Sequence, residues 1–215
     1  MSLPEPYDTP ARRLETDTDD GMLVIISGPS GVGKTTITRG VERTIAGAVF
    51  SVSWTTRDKT GVDVEGVDYH FVSDEQFEEM LGRDGFLETA GVYGRRYGTP
   101  KEWVRTQLAR GRLVILEIDV VGAEKVKGQI PEAFAIFVLP PDEETLLSRL
   151  RSRKREDDAQ IQKRFARAKE EIAHARRSGV YNHFLVNRDL NASLDEAVRL
   201  IENERGRRRE LRRKA

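Results

Sequence analysis

The chain has 215 residues, of which 38% are hydrophobic and 33% are charged, and its 36 basic side chains balance its 36 acidic ones. This length supports one sizeable core with a small inserted lobe, and the zero net charge gives no indication of a nucleic-acid or membrane surface. The lack of cysteine excludes disulfides, thiolate metal sites and thiol catalysis, and no run approaches the roughly 20 apolar residues of a membrane span, so we expect a cytoplasmic protein.

The first 20 residues contain three prolines and many charges but no hydrophobic periodicity. Such a segment cannot bury enough apolar surface to fold, so residues 1–20 are expected to form a disordered leader. The first apolar run, at residues 22–26, predicts a buried strand that leads into a glycine-rich segment.

This glycine-rich segment, residues 28–35, is a complete phosphate-binding motif, G-x-x-x-x-G-K-[ST], and is called the phosphate loop below. Its glycines let successive backbone N–H groups converge on an anion, and the helix predicted to follow adds its positive end. In this motif Lys34 reaches the β- and γ-phosphates of a nucleoside triphosphate, and the Thr35 hydroxyl is a ligand of Mg²⁺. The predicted ATP-binding residues are Gly28, Pro29, Ser30, Gly31, Val32, Gly33, Lys34, Thr35 and Thr36.

The pattern changes after a predicted strand at residues 48–53. Between residues 55 and 98, short alternating segments and many glycines predict a small mixed β/α lobe inserted into the main domain. Its strands are expected at residues 69–72 and 86–89. Between them, Ser73 and Gln76 have the spacing of a capping box for a short helix.

The rest of the chain alternates apolar strands with helices. Thr99 is the predicted N-cap of a helix with Pro100 in its first position. Strands follow at 113–118, 133–139 and 183–186, and helices at 143–150, around 161–175 and after a cap formed by Ser193 and Glu196. Five apolar strands that alternate with helices predict an α/β fold with a doubly wound parallel five-stranded sheet.

A second motif lies at the start of the inserted lobe. Residues 55–71 resemble the signature of the guanylate kinase family, T-[ST]-R-x-x-[KR]-x-x-[DE]-x-x-G-x-x-Y-x-[FY]. The similarity covers residues 23–204 and includes Glu88, the segment at 97–99 and the segment at 116–119. The residues that match the signature are Thr55, Thr56, Arg57, Asp63, Gly66, Tyr69 and Phe71.

This resemblance implies that the protein transfers the γ-phosphoryl of ATP to GMP, and to dGMP, with Mg²⁺ as the cofactor. ATP and GMP are then its partners. No membrane partner and no nucleic-acid partner are expected, and the resemblance leaves the oligomeric state open. The resemblance divides the chain into a guanylate kinase-like domain, residues 21–205, and a basic tail, residues 206–215. The domain comprises a core (21–54, 99–148 and 165–205), a GMP-binding lobe (55–98) and a helical lid (149–164).

The resemblance also implies how GMP is held. Arg57 and Tyr69 would bind its phosphate, while Glu88 would accept hydrogen bonds from guanine N1–H and the 2-amino group. Adenine N1 carries no proton, so a carboxylate at this place discriminates against it. Asp119 would contact the guanine side or bind Mg²⁺ through water. The complete set of implied GMP-binding residues is Arg57, Asp63, Tyr69, Glu88, Tyr97, Thr99 and Asp119.

Arg149, Arg153 and Arg164 stand in the stretch that resembles the lid of this family. Together with Lys34 they are the implied catalytic residues, because guanidinium groups stabilise the charge of a transferring phosphoryl. The other cations of this stretch, among them Arg167, are interpreted as a solvated helical surface.

The chain departs from the signature at Thr60, where the family has lysine or arginine. Losing one charge-assisted contact to a phosphate costs on the order of 1.5–3 kcal/mol, so GMP binds more weakly or Lys59, Arg95 or Arg96 substitutes. This departure leaves open a kinase of the same fold that acts on another phosphorylated acceptor. A non-catalytic guanylate kinase-like interaction module is less favoured, because the phosphate loop is complete.

Overall fold

A computed structural model describes residues 20–92, 94–152 and 157–214. The strands are, in chain order, β1 (Met22–Ser27), β2 (Ala48–Phe50), β3 (Trp54–Thr55), β4 (His70–Phe71), β5 (Phe86–Val92), β6 (Arg95–Pro100), β7 (Leu113–Glu117), β8 (Phe134–Leu139) and β9 (His183–Val186). The helices are α1 (Lys34–Thr44), α2 (Asp74–Gly82), α3 (Lys101–Ala109), α4 (Val120–Gln129), α5 (Glu143–Arg151), α6 (Asp158–Ser178) and α7 (Leu190–Lys214).

Five of these strands form the main sheet, which is parallel throughout and has the order β2-β7-β1-β8-β9. β1 is central and buried along its whole length, as its uninterrupted apolar sequence predicts. Alternate side chains of β1 point to opposite faces of the sheet and pack into two different cores. Val24 packs with α1 and α7, and Ile25 packs with α3 and α4. The predicted doubly wound five-stranded sheet is confirmed, and it places the phosphate loop between the carboxyl ends of β7 and β8.

The inserted lobe contains a four-stranded mixed sheet with the order β4-β3-β6-β5. Its small core is aromatic: Phe77 stacks on Phe86 with ring centroids 4.6 Å apart, and Trp54 meets Phe86 edge-on at 6.0 Å. The predicted capping box of α2 is present, with Ser73 and Gln76 bonded in both directions. The sequence did not predict β6, because its polar residues do not alternate with apolar ones.

The predicted N-cap at Thr99 is wrong. Thr99 lies in β6, directly opposite Glu88 of β5, and α3 begins after Pro100 without a side-chain cap. The backbone N–H and C=O groups of this segment form their hydrogen bonds with β5. In addition, the Lys101 N–H donates to the Gly85 carbonyl over 2.8 Å. This long-range pairing frees the Thr99 hydroxyl for another partner.

The predicted cap of the last helix is also wrong. α7 begins at Leu190, where the Asp189 carboxylate accepts the Ala192 N–H over 2.9 Å, and Ser193 is buried within the first turn. A further helix, α4, was not predicted, because Val120–Gln129 has little hydrophobic periodicity. The Asp119 carboxylate caps α4 by accepting the Gly122 N–H over 2.8 Å.

Residues 206–214, the described part of the predicted basic tail, continue α7 as a helix. Several of their charges are paired within the chain: Arg209 and Arg212 contact the Asp20 carboxylate, and Arg207 and Arg208 contact Glu204. Across the described ranges, the chain contains no helix with the length and apolar character needed to cross a membrane.

Candidate active site

A cavity of about 1010 Å³ lies at the carboxyl end of the main sheet. Its walls come from the phosphate loop, the inserted lobe, the ends of β7 and α6. Lys34, Arg57, Glu88 and Arg164 are all part of the lining, so the structure brings these four predicted residues to one cavity. Thr35, Asp63, Thr99 and Arg149 are described but are not part of the lining.

The phosphate loop has the backbone shape that its glycines allow. Gly28 has φ +151°, and a Cβ at this position would lie 2.5 Å from the Val138 carbonyl oxygen. Gly33 has φ +94° and sits immediately before α1, so that helix begins at the loop. Lys34 folds back along the loop and donates to the carbonyl oxygens of Gly28 and Pro29, the latter over 3.1 Å. The lysine is therefore positioned beside the amides that would receive phosphate.

Asn187, which follows β9, is hydrogen-bonded to the backbone of the phosphate loop. Its Nδ2 donates to the Val32 carbonyl over 2.8 Å, and its Oδ1 accepts the Ser193 hydroxyl over 3.1 Å. The side chain is buried, so these bonds are made away from water. Sequence reasoning missed this residue, because a single asparagine after a strand carries no motif.

Replacing Asn187 with Ala should lower the free energy of unfolding by about 2–4 kcal/mol, because two buried polar partners lose their hydrogen bonds. Chemical denaturation measures this change. Asn191→Ala is the matched control, since Asn191 is exposed in the first turn of α7 and should change stability by less than about 0.5 kcal/mol. Equal losses in the two variants would contradict the supporting role of Asn187.

Glu117 stands at the carboxyl end of β7, next to the phosphate loop. The Thr35 hydroxyl donates to Glu117 Oε1 over 2.9 Å, which brings two oxygen ligands together. Sequence analysis assigned no role to Glu117. The signal that identifies it is an acidic residue at the end of a buried strand adjacent to β1, where β7 and β1 run in parallel register. Asp119 lines the same cavity, but its carboxylate is engaged in capping α4.

Glu88 and Thr99 form a buried polar pair in the lobe. The Thr99 hydroxyl donates to Glu88 Oε1 over 2.6 Å, and Glu88 is 6% exposed. Burial raises the pKa of Glu88 to about 7, although the Thr99 hydrogen bond opposes the rise. The second carboxylate oxygen approaches Gly122, where a Cβ would lie only 2.9 Å from it. Of this pair, Glu88 lines the cavity, whereas Thr99 is buried and is not part of the lining.

The Arg57 side chain is held by the carboxylate of Asp63. Its two terminal nitrogens donate to the two oxygens of Asp63, each over 3.0 Å. The Thr60 amide and hydroxyl donate to Asp63 over 2.7 and 2.6 Å, and together with Arg57 they hold the pKa of this carboxyl well below its usual range. Asp63 lies in the part of the chain that the structure describes, and it does not line the cavity. It therefore contacts Arg57 and does not border the space where a ligand would sit.

Two tyrosines, Tyr69 and Tyr97, lie beside the Arg57–Asp63 pair. Tyr69 lies under the Arg57 guanidinium, with 5.2 Å to the ring centroid, and meets Tyr97 at 5.6 Å. Burial raises the pKa of Tyr69 to about 12, so its hydroxyl stays protonated and can donate to an anion. Both rings line the cavity.

The predicted lid arginines have different surroundings. Arg164 in α6 lines the cavity and donates to the Ser30 hydroxyl of the phosphate loop. Arg149 in α5 is described but does not line the cavity, and it donates to the Asn187 carbonyl over 3.0 Å. Arg153 lies outside the described residues.

Comparison with known proteins decides the family. The guanylate kinase family model matches residues 20–204. The chain belongs to the guanylate kinase family. It is 42% identical over 188 residues to the guanylate kinase of Nitrosospira multiformis, which covers 87% of this chain and 88% of that protein. It is 46% identical over 179 residues to the guanylate kinase of Gloeobacter violaceus, with 83% and 86% covered. The crystal structure of guanylate kinase from Anaplasma phagocytophilum superposes with a TM-score of 0.69 at 28% identity, covering 86% of each chain.

The family signature has a basic residue at position 60, and this chain does not. The three cations that were expected to replace it are Lys59, Arg95 and Arg96. All three are described, and none lines the cavity. Lys59 is exposed, Arg95 contacts Asp58 and the Thr56 carbonyl, and Arg96 contacts Asp74 and Glu78. The expectation that one of them substitutes is not supported by the geometry.

Sequence analysis missed part of the α6 wall. Gln160, Lys163, Arg167 and Glu171 line the cavity together with Arg164. Arg167, which the sequence places on a solvated helical surface, also lines this cavity, with a side chain that is 38% exposed. Helical spacing could have found it, since residues three apart share a face and Arg164 was already implicated.

Proposed function

We propose that this guanylate kinase transfers the γ-phosphoryl of ATP to GMP, and to dGMP, releasing ADP and GDP, and that it does so in the cytoplasm. The observation that carries the proposal is the buried carboxylate of Glu88, which accepts a hydrogen bond from the Thr99 hydroxyl and lines the same cavity as Lys34 of the phosphate loop. One end of this cavity suits phosphate, and the other suits a base that presents both donors and an acceptor. Guanine has this arrangement of groups on one edge.

In this proposal Glu88 accepts hydrogen bonds from guanine N1–H and the 2-amino group, while the Thr99 hydroxyl donates to O6. The hydroxyl now donates to Glu88, so it turns towards the base when the base arrives. Adenine presents an unprotonated N1 and an amino group in place of O6. It would leave the buried carboxylate without a donor, which rejects it strongly.

The triphosphate of ATP would lie on the phosphate loop, with the backbone amides and Lys34 around its β- and γ-phosphates. Thr35 and Glu117 would hold Mg²⁺, because their oxygens are 2.9 Å apart and hydroxyl and carboxylate oxygens are ligands that this ion accepts. Bound there, the ion would neutralise charge on the phosphates. Asp119 would support this site through water.

The acceptor is already an anion, so the reaction needs positioning and charge neutralisation more than a general base. Arg57 and Tyr69 would bind the GMP phosphate, with Asp63 fixing the direction of the guanidinium. Arg164 would approach the transferring phosphoryl from α6, and Arg149 and Arg153 would join it on lid closure. Closure would also exclude water and thereby suppress ATP hydrolysis.

The test is ADP formation from ATP and Mg²⁺ with GMP, dGMP, AMP, CMP, UMP or no acceptor. We expect turnover with the two guanine nucleotides and little with the others. Turnover confined to a different phosphorylated acceptor would replace the proposal with the alternative kinase. ATP binding without turnover on any nucleotide would favour the non-catalytic module.

The pKa of Glu88 predicts a pH dependence for GMP. Above about pH 7 the carboxylate is ionised and accepts from both guanine donors, whereas below it the added proton removes this capacity. The kcat/KM for GMP should therefore fall by about tenfold per pH unit below pH 7. Initial rates at limiting GMP measure this profile. Rates at limiting ATP and saturating GMP serve as the control, and an unchanged GMP profile down to about pH 5 would contradict the role of Glu88.

A further inference from the structure

The strand that carries Glu88 is hydrogen-bonded to two side chains of the main domain. β5 stands at the end of the lobe sheet and pairs there with β6. From α4, Gln129 Nε2 donates to the Leu87 carbonyl over 2.6 Å, and Lys125 Nζ donates to the Thr89 carbonyl over 2.7 Å. These two hydrogen bonds flank Glu88 in the strand. The position of the buried carboxylate therefore depends on α4 as well as on β6.

Glu88 itself packs against the first turn of the same helix. One of its carboxylate oxygens lies so close to Gly122 that a Cβ there would be only 2.9 Å away. Lys125 follows Gly122 by three residues, and Gln129 follows Lys125 by four, which places all three on one face of α4. The ammonium group of Lys125 therefore stands on the helix face that meets Glu88.

Lys125 differs from Gln129 because it also brings a charge to this place. Burial raises the pKa of Glu88 to about 7, the Thr99 hydrogen bond opposes the rise, Asp119 adds to it, and the Lys125 charge opposes it. The Glu88 side chain is buried, so solvent screens its carboxylate weakly. Lys125 is exposed, so water reduces its effect without removing it.

Other charged or titratable groups on the elements around β5 have partners of their own. These are Arg95, Arg96 and Tyr97 on β6, Lys101 on α3, and Glu124 and Lys127 on α4. Arg57 is paired with Asp63, while Lys34, Glu117 and the charged residues of α6 line other walls of the cavity. Within the described ranges, Lys125 is thus the cation that acts on the Glu88 carboxylate.

We propose that Lys125 is a positioning residue for guanine recognition: through Thr89 it fixes β5 beside Glu88, and its positive charge stabilises the carboxylate that accepts from guanine. This inference rests on the proposed function, because it takes guanine as the base that Glu88 meets. Lys125 does not line the cavity, so it acts through Glu88 and does not touch the substrate. Gln129 provides a matching hydrogen bond without a charge.

The first experiment measures kcat/KM for GMP from about pH 5.5 to about pH 8.5 in the wild type and in Lys125→Gln, which removes the charge. Without the cation the carboxylate is harder to ionise, so the midpoint of the profile should move to higher pH. The loss of kcat/KM in the variant should be about threefold to tenfold larger at about pH 6 than at about pH 8.5. Lys125→Arg keeps the charge and should restore the wild-type profile.

Gln129→Ala is the matched control, because it removes the hydrogen bond on the other side of Glu88 without removing a charge. Its effect on kcat/KM should be the same at every pH. A loss in Lys125→Gln that does not depend on pH would overturn the proposal, because Lys125 would then act only on the fold. An equal movement of the midpoint in Gln129→Ala, or failure of Lys125→Arg to restore the profile, would also overturn it.

The second experiment needs no substrate. The protein is labelled with ¹³C at the glutamate carboxyl carbon, and NMR follows the Glu88 signal, which is identified by its absence in Glu88→Gln. Its titration midpoint should lie about 0.5–1 pH unit higher in Lys125→Gln than in the wild type. The midpoint in Gln129→Ala should match the wild type. Equal midpoints in the wild type and Lys125→Gln would overturn the inference even in an active enzyme.

The two experiments separate this inference from the proposed function. A wild type without GMP-dependent turnover would overturn the proposed function, whereas a shifted Glu88 midpoint in Lys125→Gln would still support the electrostatic role of Lys125. A wild type that phosphorylates GMP with the same pH profile as Lys125→Gln would overturn this inference alone.

Discussion

Glu88→Gln should lower kcat/KM for GMP by about 10⁴-fold, the scale at which a buried site rejects a substrate whose polar groups it cannot match. The glutamine amide keeps the shape of the side chain but has a single acceptor oxygen, and it turns an NH₂ group towards the guanine donors. Steady-state kinetics with GMP measure the loss. The KM for ATP should stay within about threefold of the wild type, because Glu88 belongs to the lobe.

The same change should make the folded protein more stable, which distinguishes a functional loss from misfolding. The pKa of Glu88 is raised in the folded state, so folding favours the protonated carboxyl, and this contribution is lost as pH rises through about 7. Glutamine never ionises. The melting temperature of Glu88→Gln should therefore exceed that of the wild type more at about pH 8 than at about pH 5. Lower stability of the variant at the higher pH would contradict the burial argument.

Lys34→Met should lower kcat by about 10³-fold or more, because the lysine charge would act on the phosphates as they develop charge in the transition state. Methionine preserves the length and stem of the side chain. The rate of ADP formation at saturating substrates measures the effect, and calorimetric titration with GMP should give an unchanged Kd.

Lys169→Ala is the control for the loss of a lysine. Lys169 is an exposed lysine of α6 that pairs with Glu143, and removing a surface ion pair changes little. A Lys34→Met enzyme with more than about a tenth of wild-type kcat would exclude Lys34 from the transfer step.

Several features of the fold were predictable because their causes are local. The apolar run at β1 needs no partner to be recognised as a buried strand, and the glycines, Lys34 and Thr35 have fixed positions in one short motif. The capping box of α2 is equally local, since Ser73 and Gln76 satisfy each other within one turn. For such features the sequence predicted the outcome, and the structure confirmed it.

The errors occurred where two distant segments compete for the same residue. Thr99 has the local character of a helix cap, yet pairing with β5 places it in a strand and turns its hydroxyl to Glu88. Ser193 likewise resembles a cap, but Asn187 takes its hydroxyl and Asp189 caps the helix. A cap and a long-range hydrogen bond look alike in a sequence.

Local sequence patterns predicted a phosphate-loop motif, a parallel α/β sheet and an inserted lobe that carries signature residues of the guanylate kinase family. The tertiary structure alone decided which charges meet. It joined both Arg57 and Thr60 to the Asp63 carboxylate, left Arg95 and Arg96 out of the cavity lining, and placed Arg167 in that lining. The physical reason is that a charge acts through distance and burial, which depend on how α6 and the lobe pack and not on the residues beside it in the chain.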